Sequence, residues 1–143
     1  MTTSHAAVLE DWFTQVWNQG NTEAVHRLLA ADGVMHGLGE PDLDARGPAG
    51  FLPFFHDFRR LASDIHFTVH DVVESGEKVA ARWSVRLRPI VNAEPGPPIE
   101  LTGMSFVRIR NGQLIEGWNN WDARTFIEQF HPPTATIALM RPD

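Results

Sequence analysis

Near the end of the chain a carboxylate, Asp122, stands two residues after Asn120 and four after Trp118. If that stretch is a strand, these three side chains share one face with Leu114 and Glu116, and Ile115, Gly117, Asn119 and Trp121 share the other. An acid at the end of an aromatic wall loses solvation, which moves its pKa toward the range useful for proton transfer. Asn120, one strand step away, is suited to donate to a developing enolate oxygen. His36 is the other candidate, since an imidazole exchanges protons near neutral pH. The chemistry this set implies is removal and return of a proton next to a carbonyl. Each residue also has a plainer role. Asp122 can cap the following helix through the N–H of Arg124 or Thr125, Asn120 can bond a neighbouring strand or a water, and His36 can bond loop backbone.

The elements that must position these groups are legible from periodicity. Asn111-Gly112, between two alternating apolar runs, predicts a two-residue hairpin turn, because both central residues need positive φ. The strand before that turn spans about residues 99–110, and the strand after it carries Trp118, Asn120 and Asp122. Residues 4–19 repeat apolar side chains at three- and four-residue spacing (Val8, Leu9, Trp12, Phe13, Val16, Trp17). They predict one amphipathic helix, with Thr3 or Ser4 as cap and Gly20 closing it. Asn21 or Thr22 caps a short second helix with Val25, Leu28 and Leu29 inward. After a turn at Ala31-Asp32-Gly33, Val34–His36 reads as a short strand, and residues 37–47 as a rim or lid loop.

Pro48 opens a third helix to about Ala62, with a wide stripe of Phe51, Leu52, Phe54, Phe55, Phe58 and Leu61; Pro53 sits near its start. Next comes a strand with Ile65, Phe67, Val69 and Val73 against His66, Thr68 and His70. A Ser75-Gly76-Glu77 turn leads to a strand with Val79, Ala81, Trp83, Val85 and Leu87 on one face. Lys78, Arg82, Ser84, Arg86 and Arg88 occupy the other. Residues 89–98, rich in proline, are expected to be a loop. Residues 123–130 read as a short helix and 131–143 as a tail. Helices gathered before hairpin-linked antiparallel strands predict an α+β fold, one domain over 1–143 with its core at about 4–130. A strongly curved sheet over long helices would enclose a conical pocket. Its expected wall is Trp118, Trp17, Phe55, Trp83, Phe106 and Met104. Arg82 either orients an anionic or carbonyl group there or lies on a solvated or dimer-forming face.

Composition bounds the rest. A chain of 143 residues with 43% hydrophobic and 21% charged residues is that of a globular domain. The net charge of −6 argues against nucleic-acid and anionic-membrane partners. No apolar run is long enough to span a bilayer, and the first residues lack the features of a signal peptide, so a cytoplasmic location is expected. Without Cys there is no thiolate or cysteine–metal chemistry. His66 and His70 on one strand lie roughly 13 Å apart, too far to share a metal ion. No metal or cofactor is expected.

A set of segments in order carries a resemblance. These are Val16-Trp17-Asn18-Gln19-Gly20-Asn21, His36, Arg46-Gly47-Pro48-Ala49-Gly50, Asp64-Ile65-His66-Phe67 and Glu77-Lys78-Val79-Ala80-Ala81-Arg82-Trp83. Phe106 through Trp118, followed by Asp122, closes the set. Together they resemble the SnoaL-like polyketide cyclases of the wider NTF2-like (cystatin-like) fold, over about residues 9–130. The resemblance implies an α+β cone, often dimeric through its sheet, and cofactor-free ring closure by aldol condensation of an apolar, polyketide-like substrate. It also implies an acid/base aspartate on the last strand, at Asp122, and a polar residue at the pocket mouth, at His36. Two features depart from the cyclases. Arg86-Leu87-Arg88-Pro89-Ile90 replaces a Gly-Thr-His-type stretch, and the proline-rich segment 89–98 is this chain's own. Two other functions follow from the same fold. An epoxide hydrolase would need an Asp-Arg-Asp set, but Ser84, not an acid, stands two residues after Arg82. A non-catalytic binding module or dimeric scaffold needs only the pocket. A steroid-isomerase mechanism is disfavoured, because its oxyanion donor is a Tyr and the chain has none.

Overall fold

A computed structural model describes residues 4–39 and 44–130. The tail at 131–143 and the centre of the expected rim loop, 40–43, lie outside the described residues. Helix α1 (His5–Asp11) starts where Ser4 Oγ accepts the Ala7 N–H at 3.1 Å. The expected single helix over 4–19 does not persist. Trp12–Asn18 is wound as a π-helix, in which the Gln19 N–H reaches the Thr14 carbonyl five residues back. Gly20, at φ +68°, ends the segment as anticipated. Asn21 then caps α2 (Thr22–Leu28), accepting the Ala24 N–H.

Strand β1 (Leu29–His36) begins earlier than the sequence suggested and is interrupted by a register shift between Leu29 and Val34. After β2 (Ala45–Arg46), α3 (Gly47–Leu61) runs unbroken through Pro53. With the helix starting at Gly47, close to the expected Pro48, that proline lies in its second turn and lacks the N–H that would bond the Ala49 carbonyl. Strands β3 (Ala62–Ser75), β4 (Lys78–Val91), β6 (Ile99–Arg110) and β7 (Gln113–Trp121) are the four long antiparallel strands expected. Residues 89–98 are no plain loop. Ile90 and Val91 pair with Pro95 and Glu94 of β5 (Glu94–Pro95), across a turn where Asn92 and Ala93 have positive φ. Asn111 and Gly112 both have positive φ, as a primed hairpin turn demands. Helix α4 (Ala123–Glu128) closes the described chain.

The strand order is β2-β1-β7-β6-β4-β3, with β1 parallel to β7 and the other pairs antiparallel. The sheet curls strongly around α1, the π-helical segment and α3, giving the α+β cone. Its inner surface is the predicted one on β4: Val79, Ala81, Trp83, Val85 and Leu87 are all buried. On β3 an extra residue, His70, slips the register between Val69 and Asp71. Val73 is thereby turned outward and is 68% exposed, against its expected place beside Phe67.

The π-helical segment is tied to β3 by one side chain. Asn18 donates from Nδ2 to the Phe67 carbonyl at 3.0 Å and accepts the Phe67 N–H on Oδ1 at 2.6 Å. It thus pairs the outer edge of β3, an end strand, as a neighbouring strand would. Replacing it leaves two half-buried backbone groups without partners. Asn18→Leu is expected to lower unfolding free energy by about 1–3 kcal/mol, read as a reduced urea midpoint. An unchanged midpoint would show that this link carries no stability.

Candidate active site in the cone

The interior of the cone is built mostly from rings. The π-helical segment contributes Trp12, Phe13 and Trp17, and α3 contributes Phe51, Phe54 and Phe58. Trp17 stands at the centre of these, 5.2 to 6.2 Å from the rings of Phe51, Phe54, Phe55, Phe58 and Phe67. The space left among them is about 40 Å³, room for a water or two, whereas small-molecule pockets run to about 300–1,000 Å³. The cone is largely filled by its own side chains.

The sheet supplies the polar lining. Trp83 Nε1 donates to Ser105 Oγ at 3.0 Å, Ser105 Oγ donates to Asn119 Oδ1 at 2.8 Å, and Asn119 Nδ2 donates to the His36 carbonyl at 2.9 Å. Ser105 is 4% exposed. Trp83 fits because its partner across the β4–β6 ladder is Gly103, where a Cβ would fall 2.4 Å from the Trp83 ring. Trp121 also lines the cavity, and its Nε1 donates to the Leu38 carbonyl at 2.8 Å. Among the described residues lining this cavity none is ionisable.

This lining differs from the one read in sequence, and the cause is one residue. Between Ile109↔Leu114 and Arg108↔Glu116 the β6–β7 ladder shifts, leaving Ile115 as an extra residue. Beyond it the faces are exchanged. Gly117, Asn119 and Trp121 point inward, and Glu116, Trp118 and Asn120 point outward. Of the expected wall, Trp17 and Trp83 line the cavity, and Phe55 is buried behind it against Trp17. Trp118, Phe106 and Met104 lie on the outer face, 36%, 41% and 60% exposed. Arg82 is also outside, paired with Asp71 through Nε and Nη2. Asp122 caps α4, its Oδ1 accepting the Thr125 N–H at 3.2 Å and its Oδ2 the Thr125 hydroxyl at 2.7 Å. Asp122 and His36 do not face one cavity. Sequence reasoning passed over Ser105, Asn119 and Trp121. Ser105 carried a signal, as the polar residue at an inward parity among Leu101, Val107 and Ile109.

His36 is the ionisable centre of the outer face. Its Nε2 lies 2.8 Å from Glu116 Oε2 and its Nδ1 2.8 Å from Asp44 Oδ1, with the ring stacked on Trp118 at 5.3 Å. Only the doubly protonated ring can donate to both carboxylates. The hydrogen bond to Glu116 is the largest cause that raises its pKa above 6.5; partial burial opposes it, and the Asp44 hydrogen bond and the two negative charges add to it.

Comparison with known proteins agrees with this architecture. The model of the SnoaL-like domain family matches residues 9–117. The chain belongs to that family. Among solved structures it is similar to IdmH of Streptomyces antibioticus, a candidate polyketide cyclase. The two are 25% identical, with a TM-score of 0.77, over 89% of this chain and 98% of that one. A SnoaL-like candidate cyclase from Jannaschia sp. CCS1 superposes with a TM-score of 0.77 at 12% identity, over 93% and 99% of the two chains. One from Acidithiobacillus ferrooxidans gives 0.71 at 20%, over 91% and 97%. The last two speak for the fold alone, which is the NTF2-like cone. No curated protein matches the chain by sequence. No helix among the described residues is long and apolar enough to cross a membrane.

The raised pKa of His36 has a sign. The stability it contributes is fully present below the ordinary value near 6.5 and is lost as pH rises through the higher folded value. Melting temperature is therefore expected to fall from pH 6 to pH 8.5, and His36→Gln should flatten that slope. Equal slopes for the two proteins would remove His36 as the group responsible.

Proposed function

We propose that this chain is a cofactor-independent protein of the cyclase or isomerase type, which takes an apolar, polyketide-like molecule into the cone and promotes its ring closure. The observation carrying this reading is an aromatic cavity whose polar lining is neutral and concentrated at Ser105 and Asn119. Such a site holds a flexible chain in a folded, near-reacting conformation. Hydrogen bonds polarise its oxygen functions, and ring walls keep bulk water out. None of its described lining residues is a titratable acid or base. The chemistry that suits it is closure of a substrate that enolises unaided, such as a poly-β-carbonyl chain, whose C–H bonds are already acid. The membership in the SnoaL-like family and the likeness to IdmH support the substrate class.

The cap geometry and outward direction of Asp122 argue against the general-base role that the family resemblance suggested for it. Epoxide hydrolysis is not favoured either, since it needs a carboxylate or an activated water beside the ligand. A second reading, a binding module without turnover, draws on the same neutral lining and on the small free volume. In both readings a second copy of the chain covers the outer sheet face, where Phe106 stacks edge-on to Trp118 at 5.8 Å beside Met104. Sedimentation should then report a dimer that Phe106→Glu converts to monomer.

The decisive assay follows a linear poly-β-ketone thioester by mass spectrometry, with and without protein. Ring-closed product is expected above background, reduced about tenfold or more by Asn119→Leu and unchanged in Asp122→Asn. Loss of turnover in Asp122→Asn with full turnover in Asn119→Leu would overturn this reading in favour of the acid. Ligand binding with no product would establish the binding module.

A further inference from the structure

The direction of every hydrogen bond in the Trp83–Ser105–Asn119 chain is set by its two ends. An indole N–H can only donate and a backbone carbonyl can only accept. Trp83 therefore occupies one lone pair of Ser105 Oγ, and the His36 carbonyl fixes which end of the Asn119 side chain is nitrogen. Asn119 Oδ1 must then face Ser105, whose single hydroxyl hydrogen is committed to it at 2.8 Å. What Ser105 still offers the cavity is a lone pair. Asn119 keeps one lone pair on Oδ1 and one amide hydrogen.

We infer that the cone selects ligands bearing a hydroxyl on an unsaturated carbon, an enol or a phenol, which donates to Ser105 Oγ inside the aromatic cavity. This rests on the pocket reading above and narrows it. A hydroxyl both donates and accepts, so it can meet the Ser105 lone pair and also take the free Asn119 hydrogen. A ketone or an ether can take the Asn119 hydrogen but has nothing to donate to the remaining Ser105 lone pair. An enolate can take the same hydrogen, but its charge then also faces the Ser105 lone pair, with no cation among the described lining residues. The extra hydrogen bond to Ser105 is what discriminates, since the rings around it contribute almost equally to any flat apolar ligand. The polarity also fits the chemistry proposed, since poly-β-carbonyl chains present enol hydroxyls before they cyclise.

The test uses a matched pair of flat probes, 2-naphthol and 2-methoxynaphthalene, measured by equilibrium dialysis against the wild-type protein. The naphthol is expected to bind about tenfold more tightly, the value of one well-placed buried hydrogen bond. Ser105→Ala should remove that preference by weakening the naphthol and leaving the ether as it was. The comparison on unaltered protein stands even if the variant folds poorly. Equal affinity of the wild type for the two probes, or tighter binding of the ether, overturns the inference and leaves the pocket reading intact. Failure of both probes to bind overturns the pocket reading and this inference with it.

Discussion

The architecture of the site depends on one unpaired residue in β7. With Ile115 bulged out of the β6–β7 ladder, everything beyond it on the strand exchanges faces. Had the ladder continued in register, Glu116 would oppose Val107, which is buried, and Trp118, Asn120 and Asp122 would follow it inward. A carboxylate there would lack a cationic partner in a ring-lined space and would be driven to its neutral form. The bulge sends Glu116 outward to His36 instead, and turns inward a glycine, an amide and an indole. The charged chemistry of the chain thus sits on the outer face, and the cavity is neutral.

The neutral polar groups inside are also what holds the sheet together. Trp83, Ser105, Asn119 and the His36 carbonyl belong to β4, β6, β7 and β1, which are neighbours in that order. A continuous run of hydrogen bonds crosses four strands along the cavity lining. Networks of this kind are costly when one member is missing and specific when all are present. Gly103 is part of the same device, because only a residue without Cβ lets the Trp83 ring lie across β6. The side chains proposed to read the ligand are therefore held by the fold itself, on strands and not on loops.

Local features of the sequence were legible because they have local causes. The Asn111-Gly112 turn, the Ser4 and Asn21 caps, the αL position of Gly20 and the inward face of β4 each follow from a few neighbouring residues. The failures share a cause as well. The π-turn at Trp12–Asn18, the extra residue His70 and the extra residue Ile115 each insert one position into a regular repeat. In a strand a single insertion exchanges the two faces. Nothing in the residues around Ile115 demands that insertion, since Leu114-Ile115-Glu116 alternates acceptably in either phase. Beyond the bulge Gly117 faces Met35 and Val107, and a Cβ there would fall 2.9 Å from Met35 Sδ and 3.3 Å from Val107 Cγ1. The Asp122 cap follows from local residues and is observed, whereas the expected place of its carboxylate in the pocket wall depended on a register set by distant ones.

The filled state of the cone bears on how it discriminates. An apolar void of ligand size would forfeit the dispersion contacts of every ring around it, and the rings of α3 and the π-helical segment pack against one another. A ligand that enters must replace those ring–ring contacts with ring–ligand contacts of similar strength. The apolar part of binding is then an exchange with a small balance, and it differs little between flat ligands of one size. The Ser105–Asn119 pair has no such substitute within the cavity. Among the lining groups that the described hydrogen bonds account for, the indole of Trp121 donates to the Leu38 carbonyl and that of Trp83 to Ser105, which keeps its second lone pair. Selection between ligands is thereby concentrated on one oxygen, held in place by a strand pairing that the Ile115 bulge creates.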